Sequence, residues 1–129
     1  MHEFSAACAI VDAALQAAES YNIKRITAVN VELGEFTFLI PEQLQFNFEI
    51  ASKETLAEDA TLNISLVRGR IKCGDCGYEG EAQDEEELPP EIAVFATLKC
   101  PSCQSSATTI TGGKEFVISN IEAETSTTT

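Results

Sequence analysis

Histidine is almost absent from this 129-residue chain. Its single copy is His2, next to the start of the sequence. A hydrolytic triad built on an internal imidazole is therefore excluded. The sequence also has no G-x-x-x-x-G-K-[ST] loop and no G-x-G-x-x-G turn, so the usual backbone cradles for nucleotide phosphates are missing. Basic residues are scarce, with 8 Lys and Arg against 21 Asp and Glu, for a formal net charge of −13. Such a surface repels a phosphate backbone and argues against nucleic-acid binding. It suits a protein partner with a basic surface, or a cationic cargo. No long apolar run occurs either. Residues 4–18 are Ala-rich but contain Asp12 and lack a basic leader, which fits neither a signal peptide nor a membrane span. The length allows one domain, or one small domain plus a metal-stapled lobe, and no internal repeat is visible.

What the chain does have is a cysteine quartet. Cys73-Gly74-Asp75-Cys76 and Cys100-Pro101-Ser102-Cys103 are two C-x-x-C pairs separated by residues 77–99. Two intervening residues turn both sulfurs of a pair toward one point, and two facing pairs supply four thiolates in a tetrahedron, the preferred arrangement for structural zinc. Gly77 is expected to take a positive φ that lets backbone N–H groups approach the sulfurs. With all four sulfurs on the metal no coordination position stays open, which argues against catalytic zinc. Iron in the same cage, or a redox disulfide pair, is the alternative use. Paired cysteines without an export signal point to a reducing compartment, the cytoplasm.

Taken in order, residues 3–21 read as a helix whose apolar stripe is Phe4, Cys8, Val11, Leu15 and Ala18. Cys8 on that stripe reads as core, with no second histidine to activate it. Over residues 24–35 the period changes to two: Val29, Val31 and Leu33 alternate with Asn30 and Glu32, predicting a half-buried strand that ends near Gly34. Pro41 opens a second helix with Leu44, Phe48 and Ala51 as its apolar line, flanked by Phe46 and Ile50. Leu62, Ile64 and Leu66 predict a second strand over residues 61–71 that runs straight into Cys73. The acidic stretch 84–91 reads as a solvated loop. Ile92, Val94 and Leu98 bracket a short extended run, Gly112-Gly113 marks a turn, and residues 116–121 are a third strand.

The expected fold class is α+β, a three-stranded sheet with two helices plus an inserted zinc-ribbon-like lobe carrying the two knuckles. The expected division is residues 1–71 as an α+β domain completed by strand 113–124, residues 72–112 as the zinc-binding lobe, and residues 125–129 as a flexible tail. A lobe of that size needs a metal or a neighbour to stay folded.

The N-terminus, Met1-His2-Glu3, has good chelating geometry. The Met1 amine, the His2 backbone nitrogen and the His2 imidazole can form fused rings around one cation, and such a nitrogen set favours a square-planar ion, Ni(II) or Cu(II). The amide or carboxylate of Glu3 completes the set. An imidazole binds metal only when neutral, so affinity falls in mild acid.

Met1-His2-Glu3-Phe4-Ser5 opening an Ala-rich helix resembles the nickel metallochaperones of hydrogenase maturation, the HypA/HybF family. The similarity continues through Val31-Glu32-Leu33-Gly34-Glu35-Phe36, Pro41-Glu42-Gln43-Leu44 with Phe46, Phe48 and Glu49, both C-x-x-C pairs, Gly113-Lys114-Glu115-Phe116 and Ile121-Glu122. The resemblance implies that Met1, His2 and Glu3 bind Ni(II) as cargo, and that Cys73, Cys76, Cys100 and Cys103 hold structural Zn(II). It also implies a non-enzymatic carrier, monomeric or dimeric, whose partners are a nickel-handling maturation GTPase and the precursor of the [NiFe]-hydrogenase large subunit, with urease as a further target. The loop between the cysteine pairs is longer than in many members of the family, and no histidine flanks the cysteines as in some of them. Two other classes compete. One is a rubredoxin-like iron electron-transfer protein, since Cys73-x-x-Cys76-Gly77-Tyr78 and Cys100-Pro101-x-Cys103 resemble rubredoxin knuckles. The other is a zinc-ribbon nucleic-acid-binding module, which the charge opposes.

Overall fold

The computed structural model describes residues 2–82 and 98–125. Its elements are α1 (Glu3–Glu19), β1 (Ile23–Gly34), a 3-10 turn (Glu35–Thr37), α2 (Pro41–Ala51), β2 (Thr61–Val67), β3 (Arg70–Cys73), β4 (Glu79–Glu81), β5 (Thr108–Gly112) and β6 (Phe116–Thr125). They form two three-stranded sheets, ordered β2-β1-β6 and β4-β3-β5. The fold is the expected α+β arrangement of two helices and a sheet with a separate cysteine lobe. By contacts the chain forms two compact units. The first comprises Met1–Leu33, Leu39–Ser65 and Val117–Thr129, and the second Gly34–Phe38 and Leu66–Phe116.

In the first unit, α1 buries Ala6, Ala7, Ile10, Val11, Ala14 and Ala18. This face is rotated from the expected stripe. Phe4 is 51% exposed, and Cys8 and Leu15 are half-buried. Alanines occupy the inner face because α1 lies against α2, and small side chains allow close approach where a Phe would hold the axes apart. Helix α2 starts with Pro41 at its first turn, where a missing N–H costs nothing. It buries Leu44 and Phe48, whereas Ala51 is half-buried and Phe46 and Ile50 are exposed. Gln45 Nε2 donates to the Leu62 carbonyl at 2.6 Å and ties α2 to β2.

Strand β1 follows its expected period, burying Val29, Val31 and Leu33. Asn30 links all three strands of this sheet. Its amide donates to Asn120 Oδ1 on β6 at 2.6 Å, and its carbonyl oxygen accepts from Asn63 Nδ2 on β2 at 2.8 Å. Strand β6 is longer than expected and includes Thr125, which the sequence had assigned to a tail; residues 126–129 lie outside the described residues.

The strand expected over residues 61–71 is in fact two, β2 and β3, broken at Arg68-Gly69. The break is steric. A Cβ at Gly69 would stand 2.2 Å from the Phe36 ring, so the backbone bends where only glycine fits under the aromatic face. The second unit pairs β3 antiparallel with both β4 and β5. Neither β4 nor β5 was anticipated. Gly113 follows β5 with φ +84, the left-handed conformation expected of a turn glycine. Among the described residues of this unit, Phe36, Ile71 and Ala82 form a buried cluster with Tyr78 and Ile110 against them.

Candidate metal centre

Strand β3 ends at Cys73, and the first knuckle follows at once. Gly77 closes it with φ +79, and its N–H donates to the Cys73 carbonyl at 3.2 Å. That turn aims the Asp75 and Cys76 N–H groups at Cys73 Sγ, at 3.4 and 3.5 Å. In the second knuckle the Ser102 N–H reaches Cys100 Sγ at 3.4 Å, and the Gln104 N–H closes on the Cys100 carbonyl at 2.8 Å. The knuckles are tied to each other independently of the sulfurs. The Gly74 N–H donates to the Ala107 carbonyl at 2.8 Å, and Ser105 Oγ donates to Asp75 Oδ2.

All four Sγ atoms lie within 4.8 Å of one another. Cys73 and Cys103 are 3.7 Å apart, and Cys76 and Cys100 3.5 Å. Corners of a tetrahedron with metal–sulfur bonds of ~2.3 Å lie about 3.8 Å apart, so the cage has the size of a tetrahedral thiolate site. A disulfide needs about 2.05 Å, and all five cysteines are free. Cys73 and Cys100 are buried, while Cys76 and Cys103 face outward.

Electrostatics inside the cage are uneven. The Cys76 N–H, followed by that of Asp75, stabilises the Cys73 thiolate and lowers its pKa to about 7. At Cys103 the N–H of Ser105 acts in the same direction, but burial and the three neighbouring sulfurs outweigh it and push the thiol up to about 12. Four thiolates this close repel one another, and a divalent cation is what allows all four to ionise together.

The other predicted site residues are arranged differently. His2 is exposed and holds the position just before α1, where its carbonyl accepts the Ala6 N–H at 3.0 Å while its side chain makes no capping bond. The carboxylate of Glu3 accepts from the Ile40 N–H at 3.4 Å, at the start of α2. Met1, the acidic stretch 84–91 and the run through Ile92 and Val94 lie outside the described residues. Two residues that build the lobe escaped the sequence reading, Glu35 and Phe36. Their signal was the Gly34-Glu35-Phe36 triplet at a strand end, where a strand pattern stops without a polar loop to follow it.

The HypA family model, described as hydrogenase/urease nickel incorporation, metallochaperone, matches residues 1–123. Two relatives named hydrogenase maturation factor HypA are each 40% identical. That of Methanocaldococcus jannaschii aligns over 129 residues, 96% of this chain and 98% of its own length. That of Methanococcus aeolicus aligns over 124 residues, 93% and 94% respectively. The solution structure of the Ni metallochaperone HypA from Helicobacter pylori shares the fold, with a TM-score of 0.67 and 23% identity, covering 98% of this chain and 100% of that one. Sequence similarity that spans the helical unit and the cysteine cage alike, in relatives of nearly the same length, makes this chain a member of the HypA family of nickel-incorporating metallochaperones.

Proposed function

We propose that the chain carries one Ni(II) at its N-terminus and delivers it during maturation of [NiFe]-hydrogenase, and that the four cysteines hold a structural Zn(II). Family membership carries this reading. It is supported by His2, whose exposed imidazole is left uncommitted at the mouth of α1. The Met1 amine, the His2 amide and imidazole, and the backbone of Glu3 are the nickel ligands. The Glu3 carboxylate is occupied at the Ile40 N–H and serves to fix the turn. An exposed site of this kind suits a cargo that must be released. A closed cage of four sulfurs suits a resident ion, and its dimensions fit zinc. The same terminal ligands favour Cu(II) over Ni(II) intrinsically, so selectivity comes from partners and metal supply. Those partners are a nickel-handling GTPase and the hydrogenase large-subunit precursor, with urease as a second destination. The site of action is the cytoplasm, consistent with paired free thiols. Among the described residues no helix is long and apolar enough to cross a membrane.

The test is elemental analysis with nickel calorimetry on untagged protein. Wild type is expected to hold one zinc and to bind one Ni(II). His2→Ala, and a variant with one residue added before Met1, are expected to lose nickel affinity by about tenfold or more. Unchanged affinity in both variants would overturn the terminal site, and a red, iron-loaded protein would assign the cage to electron transfer instead.

A further inference from the structure

The geometry points to Glu35 as the positioning residue of the four-cysteine centre, acting from the far end of the strands that carry the knuckles. Its carboxylate, with the side chain about one-third exposed at 31%, spans two groups of the β2–β3 break. Oε1 accepts the Gly69 N–H at 2.9 Å, and Oε2 faces Arg68 Nε at 3.5 Å. Arg68 and Gly69 in turn hold Ala82. Arg68 donates from its terminal nitrogen to the Ala82 carbonyl at 2.7 Å, and the Gly69 carbonyl accepts the Ala82 N–H at 2.8 Å. Glu35 thus pins the open end of the β3–β4 hairpin, whose closed end is the first knuckle.

The next residue does the same for the second knuckle. The Phe36 N–H donates to the Gly113 carbonyl at 2.7 Å, at the end of β5, the strand that follows the second knuckle. Backbones approach closely here. A Cβ at Gly34 would stand 2.3 Å from the Gly113 oxygen, and one at Gly113 would stand 2.7 Å from Gly69 Cα. The segment Gly34–Phe38 is thus wedged between the roots of β3 and β5 with little room to shift.

Register is what this wedge controls. Between β3 and β5, Cys73 pairs with Thr108 and Ile71 with Ile110, but Arg70 pairs with Gly112, so Thr111 is an extra residue in a bulge. A bulge one residue from the root is a place where the strands can slip, and a one-residue slip moves Cys73 by about 3.3 Å along the strand. That displacement is close to the 3.5 and 3.7 Å spacings between cage sulfurs, and a one-residue slip also turns the side chain to the other face, so a slipped register cannot present the tetrahedron. Glu35 and Phe36 lock the strands at Gly69 and Gly113, on the root side of the bulge. Ile71 on β3 and Ile110 on β5 pack beside the bulge, and the polar locks at Gly69 and Gly113 add directional constraints that apolar packing does not supply.

This inference rests on the cage binding a metal, and the experiment separates the two. Full-length wild type, Glu35→Gln, Glu35→Ala and Ile110→Val are loaded with Co(II), whose visible spectrum reports tetrahedral thiolate ligation. Release to an excess chelator is then timed, and global stability is measured alongside. Failure of wild type to bind Co(II) with that spectrum would reject the metal site itself. With the site intact, Glu35→Ala is expected to release Co(II) about tenfold faster and with an altered ligand-field band, with Glu35→Gln between it and wild type. Ile110→Val, which trims the same core without touching the lock, is expected to keep the wild-type band. Wild-type release and spectrum in both Glu35 variants would overturn the proposal. So would an equal change in Ile110→Val at matched stability, because it would reduce Glu35 to a general contributor to folding. Should Glu35→Ala fail to fold, Glu35→Gln decides.

Discussion

The cage distinguishes its cysteines residue by residue, and that has a consequence in pH. Cys73, stabilised by the N–H groups of Cys76 and Asp75, loses its proton near pH 7 in the metal-free fold, whereas Cys103, at about 12, keeps its own. A metal must displace the Cys103 proton at any physiological pH, and the Cys73 proton as well once pH falls below about 7. The folded-state pKa of Cys73 is depressed, so its thiolate is available above that value and lost as pH falls through it. Apparent Zn(II) affinity is therefore expected to rise with pH between 6 and 8, and binding at pH 8 to release at least one proton. Calorimetry in two buffers of different ionisation enthalpy measures that release directly. Buffer-independent heats would show that the cage is already ionised before the metal arrives.

At the level of elements, α1 makes a contrast that sequence periodicity misjudged. Ile10 is fully buried while Phe4 is 51% exposed. Ile10→Ala is expected to cost about 2–5 kcal/mol, because it opens a cavity in a packed face. Phe4→Ala is expected to stay within about 0.5 kcal/mol. Urea unfolding of the two variants measures both; a larger loss at Phe4 would mean that the helix faces inward along the stripe the sequence first suggested. The misreading has a physical source. Periodicity weights large apolar residues, but a helix lying close to another selects alanine for its inner face, and alanine carries little hydrophobic signal. Strand β1 was legible because Val29, Val31 and Leu33 are both large and inward, so size and burial agree. The knuckles were legible because their chemistry is local, set by two residues between cysteines. The break at Gly69 was not, since what ends the strand is the Phe36 ring, brought from a distant point in sequence. Strands β4 and β5 were missed for a related reason. They are three and five residues long and rich in Glu, Gly and Thr, and they are strands only because β3 offers both its edges.

For the molecule as a whole, the four cysteines of the cage all lie in the second unit, and this sets what metal removal does. The first unit buries Ile10, Val11, Ile26, Val29, Val31, Leu33, Leu44, Phe48 and Leu62 together with its alanines. Among the described residues, the second buries Phe36, Ile71 and Ala82 beside Cys73 and Cys100. A structural zinc contributes about 10 kcal/mol or more to the folding of a small site of this kind, and here that stabilisation falls on the second unit. Chelation is therefore expected to lower the stability of the second unit and leave that of the first nearly unchanged. Circular dichroism at the helical band is expected to keep most of its intensity, because among the described residues both α-helices, α1 and α2, lie in the first unit. Tyrosine emission is expected to change, since the chain has no tryptophan and only two tyrosines. Of these Tyr78 packs in the second core, whereas Tyr21 is 71% exposed in the first unit. Nickel binding by the chelated protein, measured after the chelator is removed, is expected to persist at the N-terminus, because His2 and α1 belong to the unit that stays folded. Simultaneous loss of the helical signal would instead show that the two units fold as one.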